Sequence, residues 1–347
     1  MSATRQRTIY LLGPEKIELR EVPVPEPGPG EILVKIAAAT TCGTDVKVFR
    51  RGGHPRMLQV PTPFGHELAG EVVARGRDAD RWKAGDRVVV ANSAPCGDCE
   101  FCRRGRENLC ADLEYLNGAF AEHILVPRRF TERSTHRMPA GLAFEIAALT
   151  EPLACVLHGI DACELREPSD IVVYGGGPIG LLFVGALASG GHRVTLADPN
   201  LERLKAGERL GASARVQISR GGGQAQVTMA RARKKGGFDV AIDATGVPEV
   251  WVDAMDSVRP GGVVNLFGGC AQGSQVPMDT HRVHYSELTI KGVYHHRPAT
   301  VARALEMLSR DAFDARILLS AERPLEELEE GLRSMMRKEA LKVVIRP

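Results

Sequence analysis

The pattern of apolar and polar positions changes character near residue 170 and changes back near residue 294. Before the first change the chain reads as short strands and turns. Residues 17–22, Ile-Glu-Leu-Arg-Glu-Val, alternate with period two, as a strand with one buried face does. The proline- and glycine-dense stretch from Pro23 to Gly30 is a turn-rich connection. Residues 31–37 predict another strand, 82–92 a turn and a strand, and 119–127 a further strand. Residues 142–160 lengthen into one long helical stretch, with Pro152 suited to the first turn of a helix. From 170 onward, strands at 170–174, 193–197, 214–218, 238–243, 262–267 and 288–293 alternate with helices between the first five. That alternation predicts a doubly wound parallel sheet with helices on both faces. Residues 300–308 and 325–336 are amphipathic helices, and 340–345 is a last strand that joins the N-terminal region.

The run Ile171 to Tyr174 leads directly into Gly175-x-Gly177-x-x-Gly180 and then an apolar helix. Strand, glycines and helix in this order form a dinucleotide-binding motif. The glycines allow the tight turn, the approach of a pyrophosphate and close helix–strand packing. The helix N-terminus offers unpaired N–H groups and a positive dipole end. Asp198 ends the next strand, where a carboxylate accepts bonds from both ribose hydroxyls and repels a 2′-phosphate. The expected cofactor is therefore NAD. Thr245 and Phe267 follow later strands, so they fall at the carboxyl edge of the sheet, where ligands bind.

Length and charge narrow the class. A chain of 347 residues has room for two domains. Its composition, 44% apolar and 25% charged, is that of a soluble globular protein. A net charge of +2 gives no reason to expect nucleic acid or an anionic membrane as partner. The N-terminal residues lack a signal-peptide core and no run of 18 apolar residues occurs, so the expectation is a cytoplasmic protein. The basic run at 231–235 reads as a solvated helix end.

In a reduced compartment eight cysteines point to metal before disulfides. Cys96, Cys99, Cys102 and Cys110 supply four soft ligands in one short lobe. That suits a closed, structural Cys₄ zinc site, ahead of disulfides or an iron–sulfur cluster. Cys42, His66 and Glu67 are zinc-ligand types lying farther apart in sequence. Glu151 is an acid among apolar residues, a costly placement unless it is paired, protonated or metal-bound. His158 reads as a packed, hydrogen-bonded histidine. His295 and His296, taken as strand neighbours facing opposite ways, read as interface or pocket-wall residues.

Taken together, Cys42-Gly-Thr44-Asp45, Gly65-His66-Glu67, the cysteine lobe, Glu151-Pro-Leu and the glycine motif with Asp198 resemble the zinc-dependent medium-chain dehydrogenases, in the polyol (sorbitol) and threonine dehydrogenase group. The resemblance implies an α/β protein: a GroES-like β-barrel catalytic domain, residues 1–155 and 294–347 with a zinc lobe at 93–112, and a Rossmann domain, 156–293. The active site would lie between the two. Cys42, His66 and one or both of Glu67 and Glu151 would bind a catalytic zinc. Asp45 would hold the free nitrogen of His66, and Thr44 would take the proton of the alcohol while hydride passes to the nicotinamide. Gly175, Gly177, Pro178, Ile179, Gly180, Asp198, Arg203, Thr245 and Phe267 would contact NAD. Relatives that end a proton relay with histidine have it where this chain has Lys47, and His54 is the other candidate. The implied reaction is NAD-linked oxidation of a secondary alcohol (a polyol, cyclitol, sugar acid or amino alcohol) by a homodimer or homotetramer. L-threonine 3-dehydrogenase activity is the alternative. A zinc-free reductase or a non-catalytic NAD sensor would lack a reason for the ligand set.

Overall fold

The computed structural model describes residues 4–165, 168–219 and 236–347; the helix expected between 218 and 238, with its basic run at 231–235, lies outside the described residues. The chain divides into two units. One is Met1–Ala154 with His296–Arg310 and Leu318–Pro347; the other is Cys155–His295 with Asp311–Ile317. The excursion at 311–317 has a packing cause: Phe313 lies against Gly185, where an added Cβ would sit 2.6 Å from its ring.

In the first unit, Ile32–Thr40 is the central strand. Glu67–Arg75, His123–Val126 and Lys342–Arg346 all pair with it antiparallel. Its neighbours cover it, and it is accordingly a nearly continuous apolar run. Lys16–Pro23 is at an edge, paired with Arg5–Gly13 alone; Ile17 and Val22 are half-buried, but Leu19 is exposed and Arg20 half-buried, so the expected alternation fails in its middle, as an edge strand has little to cover it. The final strand also pairs parallel with Leu319–Pro324. Trp82, Phe49, Phe64, Phe120 and Phe130 fill the core. Phe64 and Phe120 meet edge-to-face with ring centroids 5.5 Å apart, a favoured aromatic geometry.

The single long helix expected over 142–160 is two, Phe144–Ala147 and Thr150–Ala162. Pro152 explains the break. Continued from 144, the helix would lose the bond to Ala148 O and clash there. Restarted at Thr150, whose hydroxyl donates to Ala147 O at 2.6 Å, it holds Pro152 in its first turn.

The second unit is a six-stranded parallel sheet. Its order is Ala214–Gln217, Arg193–Asp198, Asp170–Tyr174, Phe238–Asp243, Val258–Leu266, Thr289–Gly292, which is 3-2-1-4-5-6 in chain order. Pro178–Ser189, Leu201–Arg209 and Pro248–Ser257 are its described crossover helices. The fifth strand starts at Val258, before the expected 262, because Val258 already pairs with Phe238 ahead of an irregularity. Thr280–Tyr285 adds a short helix that the pattern does not predict; it has no buried residue and hence no apolar stripe to read. His295 and His296 lie beyond the last strand, and His295 has φ 63°, so the strand argument for their facing opposite ways does not apply.

Candidate metal and nucleotide sites

Three strand ends meet in the first unit. Thr40 closes the central strand, Glu67 opens its neighbour directly opposite, and Lys342 opens the final strand. Cys42 follows Thr40 by two residues and caps the helix Gly43–Arg51. Its Sγ accepts from Thr44 N at 3.4 Å, and its own N–H donates to Asp45 Oδ2 at 2.8 Å. Gly65 delivers His66 to the same point. At φ 88°, a Cβ there would lie 2.5 Å from the Phe120 ring, so glycine is required.

Cys42, His66 and Glu67 thus come together, one ligand atom from each lying within 4.8 Å of the others. Asp45, 2% exposed, accepts from His66 Nδ1 at 3.0 Å. That bond orients the ring through Nδ1, so that Nε2, on the side of Cys42, is the nitrogen that would ligate a metal once its proton is displaced. Burial by itself would lower the His66 pKa, but Asp45 and then Cys42 outweigh it, and the pKa stands well above the ordinary value. Glu67 is fully buried. Its Oε2 accepts from the Thr40 hydroxyl and from Lys342 Nζ, whereas its Oε1 has no hydrogen-bond partner. An ionised oxygen left unpaired in the interior is costly. A cation shared with thiolate and imidazole removes that cost, and this donor set suits zinc.

Lys342 is the residue here that the sequence pattern does not reveal. It is 1% exposed, and its Nζ also donates to Thr41 O at 2.7 Å. Burial would lower its pKa, but Glu67, with Cys42 and Asp45 beyond, raises it, so the ammonium stays charged. A lysine heading an apolar run reads as a solvated strand end, and nothing local marks it as interior.

Glu151 is not in the Cys42 set. It is buried in the first turn of its helix, 3.8 Å from His296 Nε2, which also meets Asn92 Oδ1 at 3.0 Å. Thr44 is half-buried in the first turn after Cys42. Lys47 is exposed, and His54 Nδ1 accepts from Arg56 N and Met57 N at 3.2 and 3.1 Å. Burial, then Arg51 and Arg56, lower the His54 pKa, which leaves a neutral ring with only Nε2 available. His158 Nδ1 meets His295 O at 2.8 Å, a hydrogen-bonded packing position.

The lobe cysteines form a second cluster. Sγ–Sγ separations are 3.4 Å for Cys96–Cys110, 3.5 Å for Cys99–Cys102, 3.8 Å for Cys99–Cys110 and 3.9 Å for Cys96–Cys102. A tetrahedron of thiolates about zinc has edges of about 3.8 Å. Backbone N–H groups of Ala111 and Cys102 lower the Cys99 thiol to about 6, whereas burial pushes Cys102 up to about 12. All eight cysteines are free thiols.

In the second unit, Gly175 to Gly180 turn from the first strand into the helix Pro178–Ser189, whose Gly177 N-cap has no side-chain bond. A Cβ at Gly180 would lie 1.7 Å from Gly175 O. Helix and loop therefore touch backbone to backbone, as the third glycine of such a motif allows. Asp198, 3% exposed, accepts from Gly176 N at 2.6 Å and Asn200 N at 2.7 Å. Arg203 lies over the same loop, its Cβ 2.9 Å from where one would stand at Gly176, and the Thr245 methyl lies 2.7 Å from that of Gly175. Buried Asp243 holds Thr245 in place, accepting from its N–H at 2.9 Å and from Gly246 N and Trp251 Nε1, both at 3.0 Å. Phe267 packs edge-on to Phe183 at 5.0 Å. Pro178 and Ile179 open the helix itself.

A thiolate–imidazole–carboxylate site, a four-thiolate lobe and a Rossmann sheet with a glycine-rich turn define a zinc-dependent alcohol oxidoreductase that uses a nicotinamide cofactor. The chain belongs to the zinc-binding medium-chain dehydrogenases, in the polyol and threonine dehydrogenase group. Residues 28–139 match the alcohol dehydrogenase GroES-like domain, and 178–310 match the zinc-binding dehydrogenase family. Sorbitol dehydrogenase of Bacillus subtilis is 31% identical over 342 residues, covering 96% of this chain and 94% of the relative. D-altritol 5-dehydrogenase of Agrobacterium fabrum is 36% identical over 321 residues, covering 89% and 90%. An L-threonine 3-dehydrogenase of Idiomarina loihiensis is 28% identical over 335 residues, covering 95% and 96%. A zinc-binding dehydrogenase from Sinorhizobium meliloti 1021, solved bound to NADP, superposes with a TM-score of 0.90 at 30% identity, over 99% of this chain and 100% of that one.

Proposed function

We propose that this chain oxidises the secondary alcohol of a polyol-type substrate with NAD, using zinc held by Cys42, His66 and Glu67. The observation that carries the reading is the buried Glu67 carboxylate, with Oε1 unpartnered, beside the Cys42 sulfur and an imidazole already oriented by Asp45. Zinc supplies Lewis acidity that lowers the pKa of the alcohol, and the nicotinamide accepts the hydride. The protein does the rest. Asp45 keeps the His66 proton on Nδ1. Thr44 would accept the alcohol's proton at its hydroxyl oxygen while giving up its own hydroxyl proton to solvent water. The helix N-terminus at Gly177 to Gly180 cradles the pyrophosphate, with Arg203 and Thr245 flanking it. Asp198 keeps lone pairs for the ribose hydroxyls and repels a 2′-phosphate. A polyol substrate is favoured because Glu151-Pro-Leu-Ala-Cys155 resembles that branch more than the threonine branch. The reading includes a cytoplasmic homodimer or homotetramer, which light scattering of the purified protein checks. Among the described residues no helix is long and apolar enough to cross a membrane.

The test is a metal count followed by a panel of polyols, cyclitols, sugar acids, amino alcohols and L-threonine with NAD. Two zincs per chain, and turnover fastest with a polyol and lost on chelation, are expected. Turnover that survives complete zinc removal would falsify the metal assignment, and L-threonine as the best substrate would move the chain to the other branch.

Two variants probe the roles separately. Asp45→Asn keeps the size of the side chain but lets the amide stabilise the wrong His66 tautomer. Zinc affinity at that site is expected to fall about 10- to 100-fold, read by chelator competition. Asp198→Ala removes charge-assisted bonds to ribose, so KM for NAD should rise about tenfold or more and discrimination against NADP should relax. Equal use of both cofactors by the unaltered protein would remove that role from Asp198.

A further inference from the structure

The two oxygens of Glu67 have opposite fates. Oε2 is held by Thr40 and by the ammonium of Lys342; Oε1 has no hydrogen-bond partner, in a carboxylate that has an oxygen within 4.8 Å of ligand atoms of Cys42 and His66. A buried ion pair is not by itself a stabilising choice, since well-packed apolar residues serve as well. A lysine that is 1% exposed, on a strand otherwise mostly of valine and isoleucine, therefore calls for a reason beyond packing. Charge supplies one. Cys42 as thiolate, Asp45 and Glu67 carry three negative charges. A zinc held there would add two positive charges and Lys342 adds one, so the set would balance to neutrality and could take a neutral alcohol.

We propose that Lys342 is a positioning residue for the metal site. With Thr40 it occupies Oε2 of Glu67 and presents only Oε1 to zinc, so that Glu67 remains a one-oxygen, displaceable ligand. The proposal rests on the reading of Cys42, His66 and Glu67 as the zinc site. Without the Lys342 charge, Oε2 is drawn to the dication, because unlike charges attract strongly in a dry interior. The carboxylate then takes the place the alcohol needs.

The experiment begins with the zinc count of the unaltered protein. One zinc per chain overturns the metal reading, and this inference with it; two zincs leave the inference to be tested alone. Lys342→Met removes the charge at similar length, and Thr40→Val removes the second hold without changing shape. For Lys342→Met the expected results are loss of site zinc to a chelator slowed about tenfold and KM for the alcohol raised about tenfold, with kcat changed much less. Cobalt substituted at the site should show weaker visible bands, as a further oxygen donor raises the coordination number. Thr40→Val should shift all three in the same direction by less, and it decides the matter if Lys342→Met does not fold. Folded variants whose cobalt spectrum and chelator kinetics match those of the unaltered protein would leave Lys342 a purely structural residue and overturn the proposal.

Discussion

Cys42→Ser is expected to reduce the zinc content from two per chain to one and NAD-linked alcohol turnover by at least about 10³-fold. A Lewis acid at the reacting oxygen is worth several kcal/mol, and each step of about 1.36 kcal/mol is about tenfold in rate. The fold should survive. Cys42 acts as an N-cap through its Sγ, and serine is among the best N-caps, so the helix Gly43–Arg51 keeps its first turn. The lobe cysteines are untouched. Metal analysis and steady-state kinetics on the same preparation check both halves. A variant that keeps two zincs would show that the metal does not depend on this thiolate.

Cys99→Ser should have the opposite profile, a large loss of stability with the chemistry of the first site intact in whatever protein remains folded. From Gly97 to Leu109 the lobe has one buried residue, Asn108, and so no apolar core of its own. Its short helix Glu100–Arg103 buries nothing. The shape of the lobe is therefore set by the four sulfurs, and metal binding there is folding free energy. A loss of about 4 kcal/mol and a fall in Tm of about 10 °C are expected, with one zinc lost. Calorimetry with metal analysis reads both, and an unchanged Tm would assign the lobe's stability to something other than the metal.

Much of the fold is legible in the sequence because its signals are local. The six strands from Asp170 to Gly292 are reported directly by run length and by their alternation with helices. At Lys16–Pro23 the period misleads, because an edge strand leaves Leu19 in solvent. The glycine turn carries its chemistry in six adjacent residues. Pro152 is legible as a first-turn residue, but the truncation of the helix around it is not, because a break two residues upstream leaves no apolar mark. The metal site is half legible. Cysteine, histidine and glutamate announce themselves by type. The arrangement of Glu67 between Thr40 and Lys342 depends on strand pairing across the chain, which spacing does not encode. The positions of His295 and His296 escape the pattern for a related reason: a strand that ends at Gly292 hands them to a loop, and strand ends are the least visible feature of a sequence.

The pairing of the last strand with Ile32–Thr40 has a bearing on how this protein folds. Lys342 bonds Thr41 O across 301 positions of chain, and Val343 bonds the Thr41 hydroxyl across 302. The setting of Glu67 between Thr40 and Lys342 therefore depends on contacts of high sequence separation, which are slow to form because the long loop must close first. The four sulfurs of the lobe lie within the single stretch from Cys96 to Cys110 and can gather early.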